Sequence, residues 1–301
     1  MSNDPVSDFS TMLRGEGVFL QTGPFCVHLQ SDIESVAEGL SLLYGHYPCY
    51  QHRDFADFHI RLKASSGIRQ WLRPQVKFLF DGYAPFKPLP LDQAFPLFEW
   101  GLNWCVANHI NEYLIVHAAV VEKDGFAAIL PAPPGSGKST LCAALVNRGW
   151  RLFSDELAMF SLKEQVLVPL PRPVNLKNDS IDLIQAFAPE AVFGKRVSDT
   201  NKGTVAHMKA SCESVNQAFE PAVPAWVIMP RYVAAAEPNL QRRSKAQTCI
   251  ELAQNSFNFS VLAEDGFQAV TNLIGRSDCY DFTYSRLDDA IEIFDALVVN
   301  R

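Results

Sequence analysis

The stretch "ILPAPPGSGKSTLCAAL" (129–145) constrains this chain more than any other. An apolar run stops at Pro131, a glycine-rich turn follows, and apolar residues then recur at helical spacing through Leu141, Ala144 and Leu145. A tight turn between a strand and a helix aims several backbone N–H groups and the positive end of the helix dipole at one anion. The phosphate-loop pattern G-x-x-x-x-G-K-[ST] is met over 132–139 in every slot but the first, where Ala132 stands. That exception matters only if the position needs a positive φ, since Pro133 and Pro134 hold the turn at fixed φ. The spacing marks Pro134, Gly135, Ser136, Gly137, Lys138, Ser139 and Thr140 as candidate ATP-binding residues. Lys138 would contact the β- and γ-phosphates, and the Ser139 hydroxyl would ligate Mg²⁺.

A nucleotide loop alone does not separate a kinase from a motor or a switch, so the acids that follow carry more information. Asp155 and Glu156 come at or near the end of the next strand, "RLFSDELAMFSL" (151–162). In a doubly wound sheet such strand ends gather near the loop, within reach of a metal and an attacking group. Neighbouring residues on a strand point to opposite faces, so both acids serve only if the chain turns there. His117 lies inside the apolar run "LIVHAAVV" just upstream, and pairing with Asp155 would tune a carboxylate that takes a proton. Cations that neutralise a moving phosphoryl group are sought in Arg172 and Lys177 of "PRPVNLKN", Lys202 of "NKGTVAH" and Arg231. Arg148 and Arg151 flank a helix end and read as structural.

Composition narrows the partners. The 301 residues carry a formal charge of −7 with basic residues dispersed, which argues against nucleic acid. Seven cysteines without a Cys-x-x-Cys pair spell out neither a disulfide framework nor a zinc site, and the odd count suits reduced thiols. No apolar run approaches the roughly 18 residues of a membrane span, and the N-terminus lacks a leader pattern, so a soluble cytoplasmic protein with no membrane partner is expected.

The remaining chain reads as an α/β protein. Strand, turn and strand are expected over 16–30, then a helix begun by "SDIE" with Ser31 as cap and Glu34 reaching back. Strands follow at 56–64 and 75–83, and an apolar helix over 91–110 is kinked or started at Pro96. A boundary near 110–113 separates an N-terminal α+β module (1–111) from a second unit (112–301). No catalytic constellation is evident in the first module, which could instead dock a partner through a sheet edge. In the second unit, 113–132 form a strand pair, 151–162 one strand, 194–210 a polar loop, 224–232 a strand, and "KAQTCIELAQNSFNF" and "EDGFQAVTNLIG" helices. "CYDFTYS" reads as a strand and "RLDDAIEIFDALV" as a closing helix.

The segment 117–160, with His117, the loop at 132–139, "RGWRL" (148–152) and "SDE" (154–156), resembles the core of the HPr kinase/phosphorylase family. More narrowly, "PVNLKN", "KGTVAHM", "WVIMPRY" and "CYDFTYSRLDDA" resemble the HPr-kinase-related subgroup A proteins. The resemblance implies a P-loop kinase core akin to phosphoenolpyruvate carboxykinase, with ATP and Mg²⁺. It also implies Asp155 as general base, Glu156 as metal ligand and His117 as partner of the base. Three departures stand out: Ala132 in the first loop slot, Glu rather than Asp as second acid, and no glycine-rich signature after the acids. The last puts a reverse, phosphorylase reaction in question.

The expected activity is transfer of the γ-phosphoryl group of ATP to a hydroxyl, on a serine of a peptide or small protein. The alternative is a nucleotide-gated binding module with slow ATPase activity and no phosphoryl acceptor. The acceptor and any homo-oligomer are left open.

Overall fold

A computed structural model describes residues 5–66, 72–133 and 135–301. The chain opens with helix α1 (Pro5–Arg14), strands β1 (Val18–Thr22) and β2 (Phe25–Ser31), helix α2 (Glu34–Tyr44) and strands β3 (Cys49–Tyr50), β4 (Phe58–Ala64), β5 (Gln75–Phe80) and β6 (Leu89–Pro90). These strands form one six-stranded sheet in the order β3-β1-β2-β4-β5-β6. A 3-10 turn (Leu91–Gln93) then leads into helix α3 (Ala94–His109).

Two details differ from expectation here. Ser31 does not cap α2, because it is the last residue of β2, paired with Leu62 of β4, and its hydroxyl accepts the Ile33 N–H at 3.1 Å. Glu34 turns instead to the Arg14 guanidinium at 2.7 Å. Helix α3 starts before Pro96, which sits in the first turn, where a missing N–H leaves no broken bond. The helix is seated on the sheet by Gly101, since a Cβ there would lie 2.1 Å from a Phe78 ring carbon.

The second part contains β7 (Tyr113–Lys123), β8 (Phe126–Pro131), α4 (Lys138–Val146), β9 (Arg151–Ser154), β10 (Leu157–Ser161), β11 (Leu167–Val168), β12 (Val174–Lys177) and α5 (Asp179–Phe187). It continues with β13 (Val197–Thr200), β14 (Gly203–Met208), α6 (Cys212–Asn216), β15 (Val223–Tyr232), β16 (Asn239–Arg242) and α7 (Lys245–Gln254). The chain closes with α8 (Phe259–Leu262), α9 (Glu264–Arg276), β17 (Asp278–Tyr284) and α10 (Leu287–Val299). The main sheet has eight strands, with the path β11-β10-β7-β8-β15-β17-β16 and β9 also on β7. Strands β8, β15 and β17 run parallel, so their C-terminal ends bring Pro131, Tyr232 and Tyr284 to one edge. A small antiparallel sheet, β12-β14-β13, stands beside it.

The polar stretch 194–210 is not a loop. It holds the β13–β14 hairpin, closed where the Thr200 hydroxyl donates to the Gly203 carbonyl at 2.6 Å. The helix expected from Lys245 ends at Gln254, because 255–257 leave it to bond the start of β7, with Phe257 N–H donating to Ile115 at 2.9 Å. The largest apolar core is shared across residue 111, joining Leu20 and Phe58 to Leu130 and Leu141. All seven thiols are free, and no described helix is long and apolar enough to cross a membrane.

Because the Phe78 ring leaves no room for a methyl group, Gly101→Ala should destabilise the protein by about 1–3 kcal/mol. Thermal unfolding followed by circular dichroism checks this, and an unchanged midpoint would mean that α3 is not tightly seated.

Candidate active site

The glycine-rich loop leaves the edge formed by β8, β15 and β17. Gly135 and Gly137 take φ of +86° and +90°, which side chains resist. Ala132 has no such φ, so the slot that departs from the pattern needs no glycine. The loop is tied to its neighbours: the Tyr232 N–H donates to the Ser136 carbonyl at 3.0 Å, and the Tyr284 hydroxyl donates to that of Gly137 at 3.1 Å. A Cβ on Gly137 would sit 2.5 Å from that hydroxyl. Pro134 lies outside the described residues. Lys138 opens α4, buried; desolvation lowers its pKa against the opposing pull of Asp155 and then Glu156.

The segment 151–162 is two strands rather than one. Both β9 and β10 lie antiparallel on β7, Ser154 opposite Val120 and Leu157 opposite His117, with a bulge at the β9 pairing. Between them Asp155 and Glu156 form a bend, although the Ala118 N–H still donates to the Glu156 carbonyl at 3.2 Å. The bend allows both carboxylates to meet one residue of β12. Asn175 donates its backbone N–H to Asp155 Oδ2 at 3.1 Å and its side-chain amide to Glu156 Oε1 at 3.4 Å.

Beyond Asn175 the two acids face different company. Asp155 is buried toward α4, where its charge acts on Lys138, Ser139 and Cys142. Burial, reinforced by the negative charge of Glu156, pushes its pKa up to about 6, while Lys138, the Ser139 side chain and the Asn175 N–H oppose the rise. Burial would raise Glu156 as well, but the charges of Lys202, Lys138 and Lys177 prevail and lower it.

The His117 ring makes no hydrogen bond to either acid among the described residues. Burial and then Lys138 push its pKa down to about 4, and Glu156 is the carboxylate that pulls the other way. The expected pairing of His117 with Asp155 is thus absent as a hydrogen bond among the described residues. The His117 backbone N–H donates to Asn255 at 2.8 Å, and its ring stands 5.8 Å from that of Phe257.

Lys177 ends β12 and Lys202 sits in the β13–β14 turn, its ammonium 5.0 Å from the Trp100 ring centre on α3. Arg172 is not a free cation: its buried guanidinium faces Glu99 at 3.7 Å and donates to Asn103 Oδ1. Arg231 is exposed on the far side of the loop, in a cleft of about 520 Å³ with Ser136 and Asn255. A larger cleft of about 670 Å³ runs from Gly137 and Thr140 past Lys177 to Phe187, Tyr284 and Asp288. Arg151 is spent on Glu122, and Arg148 lies over the Phe187 ring at 4.0 Å, both structural contacts.

Sequence reasoning missed Glu99, Asn103, Asn175 and His207, which surround the acids together with Trp100 and Arg172. The first two were findable, since a polar pair four residues apart in the apolar "FEWGLNW" shares one helix face. His207 gave no such signal, as its placement depends on β14 pairing beside β12.

No protein family matches the chain by sequence pattern, and no curated protein matches it. Among solved structures it is similar to the HPr(Ser) kinase/phosphatase from Coxiella burnetii, at 13% identity and a TM-score of 0.26. The match covers 62% of this chain and 94% of that one. A likeness so distant assigns no role to any residue.

His207 is buried, with its pKa pushed down to about 3 by desolvation, against an opposing pull from Glu156. The unfolded ring titrates near about 6.5, so below that pH the unfolded chain binds a proton that the folded chain refuses. The stability present above pH ~6.5 is therefore lost as pH falls toward ~3. Urea midpoints at pH 7 and 5 should fall less for His207→Gln than for the unsubstituted protein, and equal falls would refute this assignment.

Proposed function

We propose that the chain is an ATP-dependent phosphotransferase of the HPr kinase type, carrying the γ-phosphoryl group to a hydroxyl of a peptide or small protein. The observation that carries this reading is a pair of adjacent acids, both hydrogen-bonded by Asn175, beside a strand–loop–helix turn whose Gly135 and Gly137 take positive φ and whose Lys138 acts on both carboxylates. An acid pair beside a phosphate loop can supply both a proton acceptor and an oxygen donor for a metal ion.

The residues suit the ligands the reading requires. The N-terminus of α4 and two glycines with positive φ suit a phosphate. Ser139 and Asp155 offer the oxygen donors Mg²⁺ prefers, and Asp155 Oδ1 is buried without a hydrogen-bond partner. When bound, Mg²⁺ would neutralise charge on the phosphates. The larger cleft beside Thr140 accommodates the nucleoside end, with Phe187 and Tyr284 among its walls.

In this reading Lys138 holds the phosphates, and Lys177 and Lys202 screen the charge that develops during transfer. Glu156 stays ionised and accepts the proton of the acceptor hydroxyl. His117, kept neutral by burial and by Lys138, adds no charge of its own. These roles exchange those that the family resemblance implies for the two acids. Residues 1–111, proposed as a separate module, supply α3 to the same site.

Paired variants test the exchange, using labelled ATP with lysate proteins as acceptors and calorimetry for binding. Glu156→Gln should cut transfer by about 10²–10⁴-fold while Mg²⁺-dependent ATP binding persists. Asp155→Asn should instead raise the Mg²⁺ needed for ATP to bind. Transfer at the unsubstituted rate by Glu156→Gln would refute the role of Glu156, and the opposite pattern would restore Asp155 as base.

A further inference from the structure

A line of buried polar contacts runs from the N-terminal part of the chain to Glu156. The Tyr44 hydroxyl on α2 donates to Glu99 Oε1 at 2.6 Å, and Glu99 Oε2 faces the Arg172 guanidinium at 3.7 Å. Arg172 donates to Asn103 Oδ1, and Asn103 donates its amide to Glu156 Oε2 at 3.0 Å. Tyr44, Glu99 and Asn103 all precede β7, whereas Arg172 and Glu156 follow it.

The line has a direction. A guanidinium can only donate, so the oxygen of the Asn103 amide must face Arg172. Its NH₂ group is thereby left for the carboxylate. With Asn175 on the other oxygen, Glu156 is gripped from both sides by amides, one from β12 and one from α3.

Stability alone is a poor reason for such an arrangement. Burying the Arg172–Glu99 pair carries a desolvation cost, and apolar residues of similar volume commonly serve a core as well or better. What apolar residues could not supply is a fixed orientation for a carboxylate that has to meet a proton. Catalytic groups must be held within about 0.5 Å of their working geometry by neighbours that are themselves locked.

We propose that Asn103 is a positioning residue for the reaction, holding the Glu156 carboxylate in the orientation that accepts the proton, with Arg172, Glu99 and Tyr44 behind it. This rests on the phosphotransferase reading above. It makes helix α3 part of the active site rather than part of a detachable docking module. The hairpin turn that carries Lys202 is held by the same part of the chain, through Trp100 and a bond from Gln93 to the Asp199 carbonyl at 3.2 Å.

The test uses the full chain and Asn103→Leu, which keeps the size and removes the amide. ATP hydrolysis with water as acceptor gives kcat and KM, and thermal unfolding is measured alongside. The expected result is a fall in kcat of about 10–100-fold, the range for lost supporting contacts, at a temperature where the variant is folded and with KM for ATP unchanged. If Asn103→Leu does not fold, the smaller Asn103→Ser decides, with the same fall expected. An unchanged kcat in the folded variant, or a rise in KM for ATP with kcat kept, overturns the proposal while the phosphotransferase reading stands. An unsubstituted protein that binds ATP but neither hydrolyses nor transfers it overturns both.

Discussion

Two carboxylates next to one another in a mostly dry site repel, and the arrangement around Asp155 and Glu156 exists to contain that repulsion. Like charges about 5 Å apart at an effective dielectric of about 20 cost about 3 kcal/mol. The bend between β9 and β10 lets both groups meet Asn175, which gives each an N–H without adding charge. The remaining burden is divided. Asp155 sits at the loop with its pKa raised, while Glu156 is kept ionised by three lysines. Lys138 acts on both acids, so its removal would change both.

The surrounding fold serves that bend. β7 is the spine, because it pairs with β8, β9 and β10 and so fixes the loop, the acids and His117 relative to one another. The ends of β15 and β17 close the loop from the other side through Tyr232 and Tyr284. The small β12-β14-β13 sheet brings Asn175, Lys177 and Lys202 across, and α3 completes the ring from the N-terminal side.

Local signals in the sequence were enough for the strand–loop–helix around Lys138, since that geometry is built from consecutive residues. The acids were equally visible, but their roles were not. That both carboxylates reach Asn175 depends on a bend and a bulge, features set by the pairing with β7. The β13–β14 hairpin read as a loop because β13 is polar with an exposed middle, and the buried run of β14, Val205–Met208, is too short to show an alternation. Arg172 read as a free cation because its partners lie some seventy positions away on a helix whose polar pair resembled ordinary apolar packing. Long-range contacts of this kind leave no periodic trace.

The division between the two acids is tested most directly by a crystal structure with Mn²⁺ and a non-hydrolysable ATP analogue. The account predicts an anomalous Mn²⁺ peak beside Ser139 and Asp155, with the terminal phosphate between Lys138 and the free face of Glu156. A peak coordinated by Glu156 and distant from Asp155, or an analogue bound away from the loop, would contradict it.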